Sequence, residues 1–259
     1  MNKKVILSLI LSLALVPINS VRGQEGKPPS RAVVLVEGKE IPAIEGDVIV
    51  RGNRTIEGRC QFPAYTVEIE GNSSRYDRVV LTATEDCRLV VSEVTSQLSN
   101  ESVPASPPDG GETQAPTSGN DLTGSLEMNA MAANRRFGWA RMTFYEQFGI
   151  AVTLSHAEMS YWDDGSSVWG GQQENSYCWW RSSTGWFLIE CTSDSSFGGP
   201  SAVWHWVRGT YNHSVFSIWH RTTATFNARP GGNWTKACSF EGTMPPFWYT
   251  RCEADSWIL

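Results

Sequence analysis

The chain is 259 residues long, with 41% apolar and 19% charged residues, a globular composition large enough for one or two domains with buried cores. The full chain has a formal charge of −6; its first 23 residues hold three bases (Lys3, Lys4, Arg22) and no acid, so the remainder carries −9. That balance excludes a general nucleic-acid binder, because neutralising phosphates takes a basic stripe.

At the N-terminus, Lys3 and Lys4 precede an apolar run from Val5 to Val16, followed by small residues around Ser20 and Gly23. This pattern predicts a secretory signal peptide over residues 1–23, cleaved after Gly23 or Ser20. The run is too short to span a bilayer, and no later stretch reaches about 18 uninterrupted apolar residues. The mature protein is therefore expected to be soluble, without a membrane span, and secreted or periplasmic. Asn53, Asn72, Asn100, Asn212 and Asn233 each head an Asn-x-Ser/Thr sequon, which matters only in a glycosylating host.

Residues 24–98 contain five short β-rich runs, AVVLV (32–36), DVIVR (47–51), YTVEIE (65–70), DRVVLTAT (77–84) and CRLVVSEVT (87–95), separated by Gly, Asn and Pro. They predict a small N-terminal β domain. Within the last run Leu89 and Val91 share a face, which is the expected core side. Residues 99–127 then hold a Pro/Gly/Ser-rich stretch without an aromatic or basic side chain, which reads as a flexible linker.

Residues 128–259 contain all twelve tryptophans and nine strand candidates joined by turn signals such as Asp164-Gly165 and Pro230 to Asn233. The expectation is a second all-β domain, so the fold class is all-β, two β-rich sandwich or barrel-like domains joined by a linker. Nine bases and ten acids leave this segment at −1.

Six cysteines in an exported chain predict three disulfides. Independently folding halves would pair Cys60 with Cys87, leaving three pairings of the other four. Among these, Cys178 with Cys191 and Cys238 with Cys252 are favoured, because turn residues at each midpoint (Ser-Thr-Gly and Pro245-Pro246) would bring the sulfurs level across a hairpin. There is no CxxC pair to suggest a metal.

In Val203-Trp204-His205-Trp206-Val207-Arg208, strand alternation places Trp204, Trp206 and Arg208 on one face and Val203, His205 and Val207 on the other. The valines mark the core side, so Trp204 and Trp206 are expected to form an outward aromatic ledge flanked by Arg208. Such rings can stack on the apolar face of a sugar. Trp179 and Trp180 are adjacent and must face opposite ways, and Trp180 joins the candidate ligand residues. His205, His213 and His220 lack any metal-ligand spacing and read as separate structural imidazoles. Glu174, Glu190, Asp194 and Glu241 could serve a glycosidase only if two of them converged in a cleft.

No GxSxG or HExxH motif is present, and no cofactor or metal is expected. The reading is an exported, non-catalytic protein that recognises neutral glycan or a cell-surface polymer through exposed aromatics. A secreted polysaccharide or cell-wall hydrolase, and a structural or adhesive surface protein, are the alternatives.

Overall fold

A computed structural model describes residues 30–72, 74–98, 106–118, 133–197, 199–216 and 218–258. The segment read as a signal peptide, residues 1–23, lies outside them, as do 99–105 and 119–132 of the linker stretch.

The N-terminal strands are β1 (Arg31–Val36), β2 (Lys39–Pro42), β3 (Val48–Arg51), β4 (Asn53–Arg54), β5 (Cys60–Gln61), β6 (Tyr65–Asn72), β7 (Arg75–Ala83) and β8 (Arg88–Leu98). Two short strands, β9 (Glu112–Gln114) and β10 (Thr117–Ser118), follow. The remaining strands are β11 (Asn134–Tyr145), β12 (Ala151–Asp163), β13 (Val168–Gln173), β14 (Tyr177–Trp180), β15 (Trp186–Ser196), β16 (Val203–His213), β17 (Trp219–Arg229), β18 (Asn233–Met244) and β19 (Tyr249–Ile258). The all-β expectation is met by two large, mainly antiparallel sheets. The first runs β10-β15-β16-β17-β18-β6-β1-β2; the second runs β3-β8-β7-β19-β11-β12-β14-β9, with β13 paired to β12.

The boundary drawn in the sequence between residues 24–98 and 128–259 does not divide the hydrogen bonding. Strand β6 pairs with β18 over eight register positions, from Asn72↔Asn233 to Tyr65↔Phe240. Strand β7 pairs with β19 from Ala254↔Asp77 to Tyr249↔Thr82. Both sheets therefore carry strands from both segments, and one core holds Val67, Ile69 and Leu81 together with Phe144, Phe226 and Phe240. The reason is area: the short N-terminal strands have too little apolar surface to close a core, and the free edges of β6 and β7 are satisfied by β18 and β19. Leu89 and Val91 are fully buried, on the side expected.

The linker stretch is also corrected in part. Within it, β9 pairs antiparallel to β14 and β10 pairs parallel to β15, so residues 112–118 stitch the edges of the two sheets. Gly111 lies so close to the indole of Trp179 that a Cβ there would come within 2.1 Å of it. A composition poor in apolar side chains signals flexibility, but a backbone can still add to an open sheet edge through its own amides.

The three disulfides are Cys60–Cys87, Cys178–Cys191 and Cys238–Cys252, the favoured pairing. Their placement differs from the hairpin expectation. Cys178 sits on β14 in the second sheet and Cys191 on β15 in the first; Cys238 on β18 and Cys252 on β19 are divided in the same way. Each reversal at the Ser-Thr-Gly and Pro-Pro turns passes from one sheet to the other, so the sulfurs meet in the core between sheets.

Candidate functional site

Strand β16 is central to the first sheet and alternates strictly. Val203, His205 and Val207 are buried, Trp204 and Trp206 are half-buried, and Arg208 is exposed. The sequence-predicted ledge is thus on the outward face of the sheet. Its neighbours follow from register: Trp206 lies between Asp194 of β15 and Thr225 of β17, and Arg208 between Thr192 and Thr223. Farther along, Thr223 is level with Ser239 of β18, which is level with Thr66 of β6.

This face forms a shallow groove of about 440 Å³. Trp206 and Arg208 stand on one side, Arg221 and Glu241 at one end, and Thr66, Thr223, Thr225 and Ser239 supply hydroxyls. Thr66 Oγ1 and Ser239 Oγ are 2.8 Å apart, and Arg221 Nη1 donates to Glu241 Oε2 at 3.1 Å. The Arg208 guanidinium lies 4.9 Å from the centroid of the Trp206 ring and donates from Nε to Thr223 Oγ1 at 3.3 Å. A ring ligand stacking on that face of Trp206 would displace a cation–π contact worth about 0.5–1 kcal/mol at an exposed position. Beside the groove, burial and the nearby Glu70 and Glu40 carboxylates raise the pKa of Glu68. The arrangement offers apolar stacking area, several donor–acceptor hydroxyls and one ion pair, a set suited to a polar ring-containing ligand.

Trp180 is not part of this ledge. It is half-buried on β14 in the second sheet and packs against the main core, while its neighbour Trp179 is fully buried beneath Gly111. The other tryptophans divide between roles: Trp139, Trp169, Trp186 and Trp234 are buried, whereas Trp162 and Trp219 are exposed.

The three histidines do not converge on a metal. His205 Nε2 is 2.9 Å from Ser176 Oγ, His220 Nε2 is 2.6 Å from Thr153 Oγ1, and His213 Nε2 is 2.9 Å from the Thr184 carbonyl oxygen. Burial lowers the pKa of His205 to about 4 and that of His220 to about 3, so both rings are neutral at physiological pH. No group of three metal-ligating side chains occurs among the described residues.

The carboxylates weighed for glycoside hydrolysis do not form a pair. Glu190 and Glu241 share the outward face, but they sit on β15 and β18 with Thr210 and Arg221 between them in register. Three strand spacings make about 14 Å between their backbones, beyond the roughly 5–10 Å a glycosidase pair uses. Glu174 is in the second sheet's network, accepting from Ser160 Oγ at 2.6 Å and from Arg135.

A second cluster of charge, on the outer side of the second sheet, was not singled out from the sequence. Glu253 accepts from Tyr76 Oη at 2.7 Å and from Arg141 Nε at 3.2 Å, while His156 Nε2 is 3.1 Å from Glu158 Oε2. Arg141 also donates to the Ser106 carbonyl, tying the linker stretch to this face. Burial pushes Glu158 up to about 7, and burial followed by the Arg141 charge holds His156 well below the usual imidazole range. The sequence signal was the i, i+2 spacing of His156 and Glu158, which puts both on one face of a strand, but such spacing is too common to stand out.

The architecture is that of a two-sheet β protein whose sheets are stapled to each other by disulfides, with an aromatic, hydroxyl-lined groove on one outer face. No known protein family, curated protein or solved structure matches the chain.

Proposed function

We propose that the protein is an exported, non-catalytic binding protein that holds a neutral glycan on the outer face of its first sheet. The observation that carries this reading is the groove beside Trp206, where an aromatic ring stands over a floor of threonine and serine hydroxyls in a space of about 440 Å³. Sugar rings present an apolar face and a rim of hydroxyls, and the groove offers a partner for each. Charge supports a neutral ligand: on this part of the face Arg208 and Arg221 are balanced by Asp194 and Glu241. Export is supported by the N-terminal sequence pattern and by three disulfides, which persist in oxidising compartments.

The test uses the full mature chain, because both sheets need strands from both segments. Depletion by insoluble polysaccharides and a glycan array are measured for the natural protein and for the W204A/W206A variant, with released sugar assayed in the same tubes. Binding without sugar release, lost in the variant while its thermal unfolding is retained, is the expected result. Binding that survives the double substitution, or no binding to any glycan, overturns the reading; sugar release promotes the hydrolase.

A further inference from the structure

The turns that close one end of the sandwich touch one another in a continuous crown. The 146–150 turn abuts Tyr249, since a Cβ on Gly149 would be 3.5 Å from the Tyr249 hydroxyl. The 245–248 turn is hydrogen-bonded to the end of β7, with Phe247 N donating to the Ala83 carbonyl at 2.7 Å and Ala83 N to that of Trp248 at 3.0 Å. Arg54 reaches the Glu85 carbonyl, and Cys60–Cys87 ties the 55–59 turn to the same place. On the other side, Arg181 N donates to the Val152 carbonyl and Ser214 N to that of Gly185, each at 2.9 Å. Beneath the crown, Phe144, Trp186 and Trp248 pack with ring centroids 5.3–6.4 Å apart, so the two arcs share one rigid floor.

Four of these turns carry exposed apolar side chains at their tips: Ile56 (102%), Phe148 (79%), Val215 (74%) with Phe216 (53%), and Phe247 (52%). Phe247 has a left-handed backbone, φ 67°, which is costly for a bulky L-residue. Its amide is pinned to the end of β7 in that conformation, which leaves about half of the residue exposed. Trp219 and Phe187, level with Asn212 on the adjoining sheet face, add two more exposed rings at the rim. The charged residues on or next to these turns balance in number, Arg54, Arg59, Arg88 and Arg181 against Glu57, Glu85, Asp86 and Glu146.

We propose that this crown docks the protein onto the surface of a zwitterionic phospholipid bilayer. The apolar tips stand on four different turns. A folded partner would need a separate socket for every tip, whereas the boundary between headgroups and acyl chains accepts each ring independently. Phe and Trp suit that boundary, and a neutral crown needs no anionic lipid. Docking end-on leaves the outer face of the first sheet, with its groove, perpendicular to the bilayer and open.

The experiment is flotation of the full, disulfide-bonded chain with phosphatidylcholine vesicles at low salt and at about 0.5 M salt, together with sedimentation analysis without lipid. The expected result is co-flotation insensitive to salt, weakened about tenfold for each phenylalanine replaced in the series F148S, F148S/F216S and F148S/F216S/F247S. The single F148S variant, on an exposed turn, carries the test if the triple variant fails to fold. Absence of flotation overturns the proposal, as does flotation only with anionic lipid and only at low salt, or undiminished flotation of F148S and the triple variant. A lipid-free dimer that the same substitutions dissociate, without flotation of the natural chain, shows that a second copy covers the crown and equally overturns it.

Discussion

Replacing Lys236 by Met should stabilise the protein, and by an amount that depends on pH. Lys236 points inward from β18, has no exposed surface, and its Nζ has no hydrogen-bond acceptor. The ammonium lies 3.8 Å from the Trp234 ring centroid and 5.2 Å from that of Phe226. Burial lowers its pKa to about 7 even though the Asp255 and Asp77 charges act the other way. In the unfolded chain the same group titrates near 10.4, so the folded state binds fewer protons between those values and stability rises with pH across the window. Below about pH 7 the cost of the buried charge is present in full, on the order of 4 kcal/mol; it fades as pH climbs toward the unfolded value. Met keeps the aliphatic packing but loses the cation–π contact, worth about 2 kcal/mol when desolvated, so the net gain at pH 6 is about 2 kcal/mol. Near pH 10.5 the gain should fall to about zero. Denaturant unfolding of both proteins at pH 6 and pH 10, with disulfides intact, measures the difference, which includes the response of the neighbouring Asp77 and Asp255 to loss of the ammonium. A K236M variant less stable than the natural protein at pH 6, or a difference unchanged between the two pH values, would refute the reasoning.

W206A should weaken glycan binding by about tenfold or more, the scale of losing an aromatic anchor, with its unfolding temperature nearly unchanged; depletion assays and calorimetry read the two effects separately. His205 and His220, held at about 4 and about 3 by burial, must bind protons on unfolding, so stability should drop by several kcal/mol as pH falls from about 6.5 to 4, and a H220F variant should flatten that slope in acid-unfolding curves. Breaking the inter-sheet Cys238–Cys252 bridge with C238A/C252A should cost about 3 kcal/mol by denaturant unfolding, as expected for a loop of this length. G111A drives a Cβ into Trp179, so hydrogen exchange at Thr113 and Gln114 of β9 should speed up while that of β11 and β19 stays as it was.

Much of the strand inventory was legible because each strand exposes one face, and a half-buried strand writes itself as alternation. Val203, His205 and Val207 were read as inward and are buried; Trp204, Trp206 and Arg208 were read as outward and line the accessible face. Strand β11 runs back to Asn134 through Gly138 and Ala140, small residues that contribute little to an alternating pattern. Gly138 is small for a reason that lies elsewhere in the chain: a Cβ there would come within 2.2 Å of the Phe226 ring. The Arg141, Glu253, Tyr76 cluster was invisible for a related reason, since its members come from three strands far apart in sequence.

The sequence by itself determined the all-β class and the inward and outward faces of the central strands, which depend on local alternation, and it favoured the disulfide pairing through chain proximity without excluding the others. Only the tertiary structure decided which edges pair. The union of β6 with β18 and of β7 with β19 joins residues more than 160 positions apart, and local pattern carries no information about which of several open edges a strand will meet. The tertiary structure also made two apparent hairpin disulfides into bridges between sheets, and the pairing of β14 with β12 set Trp180 against a core, on the sheet opposite the tryptophans it was grouped with. It also gathered the turns of both segments into one apolar crown, because strands that share a sheet must also share its ends.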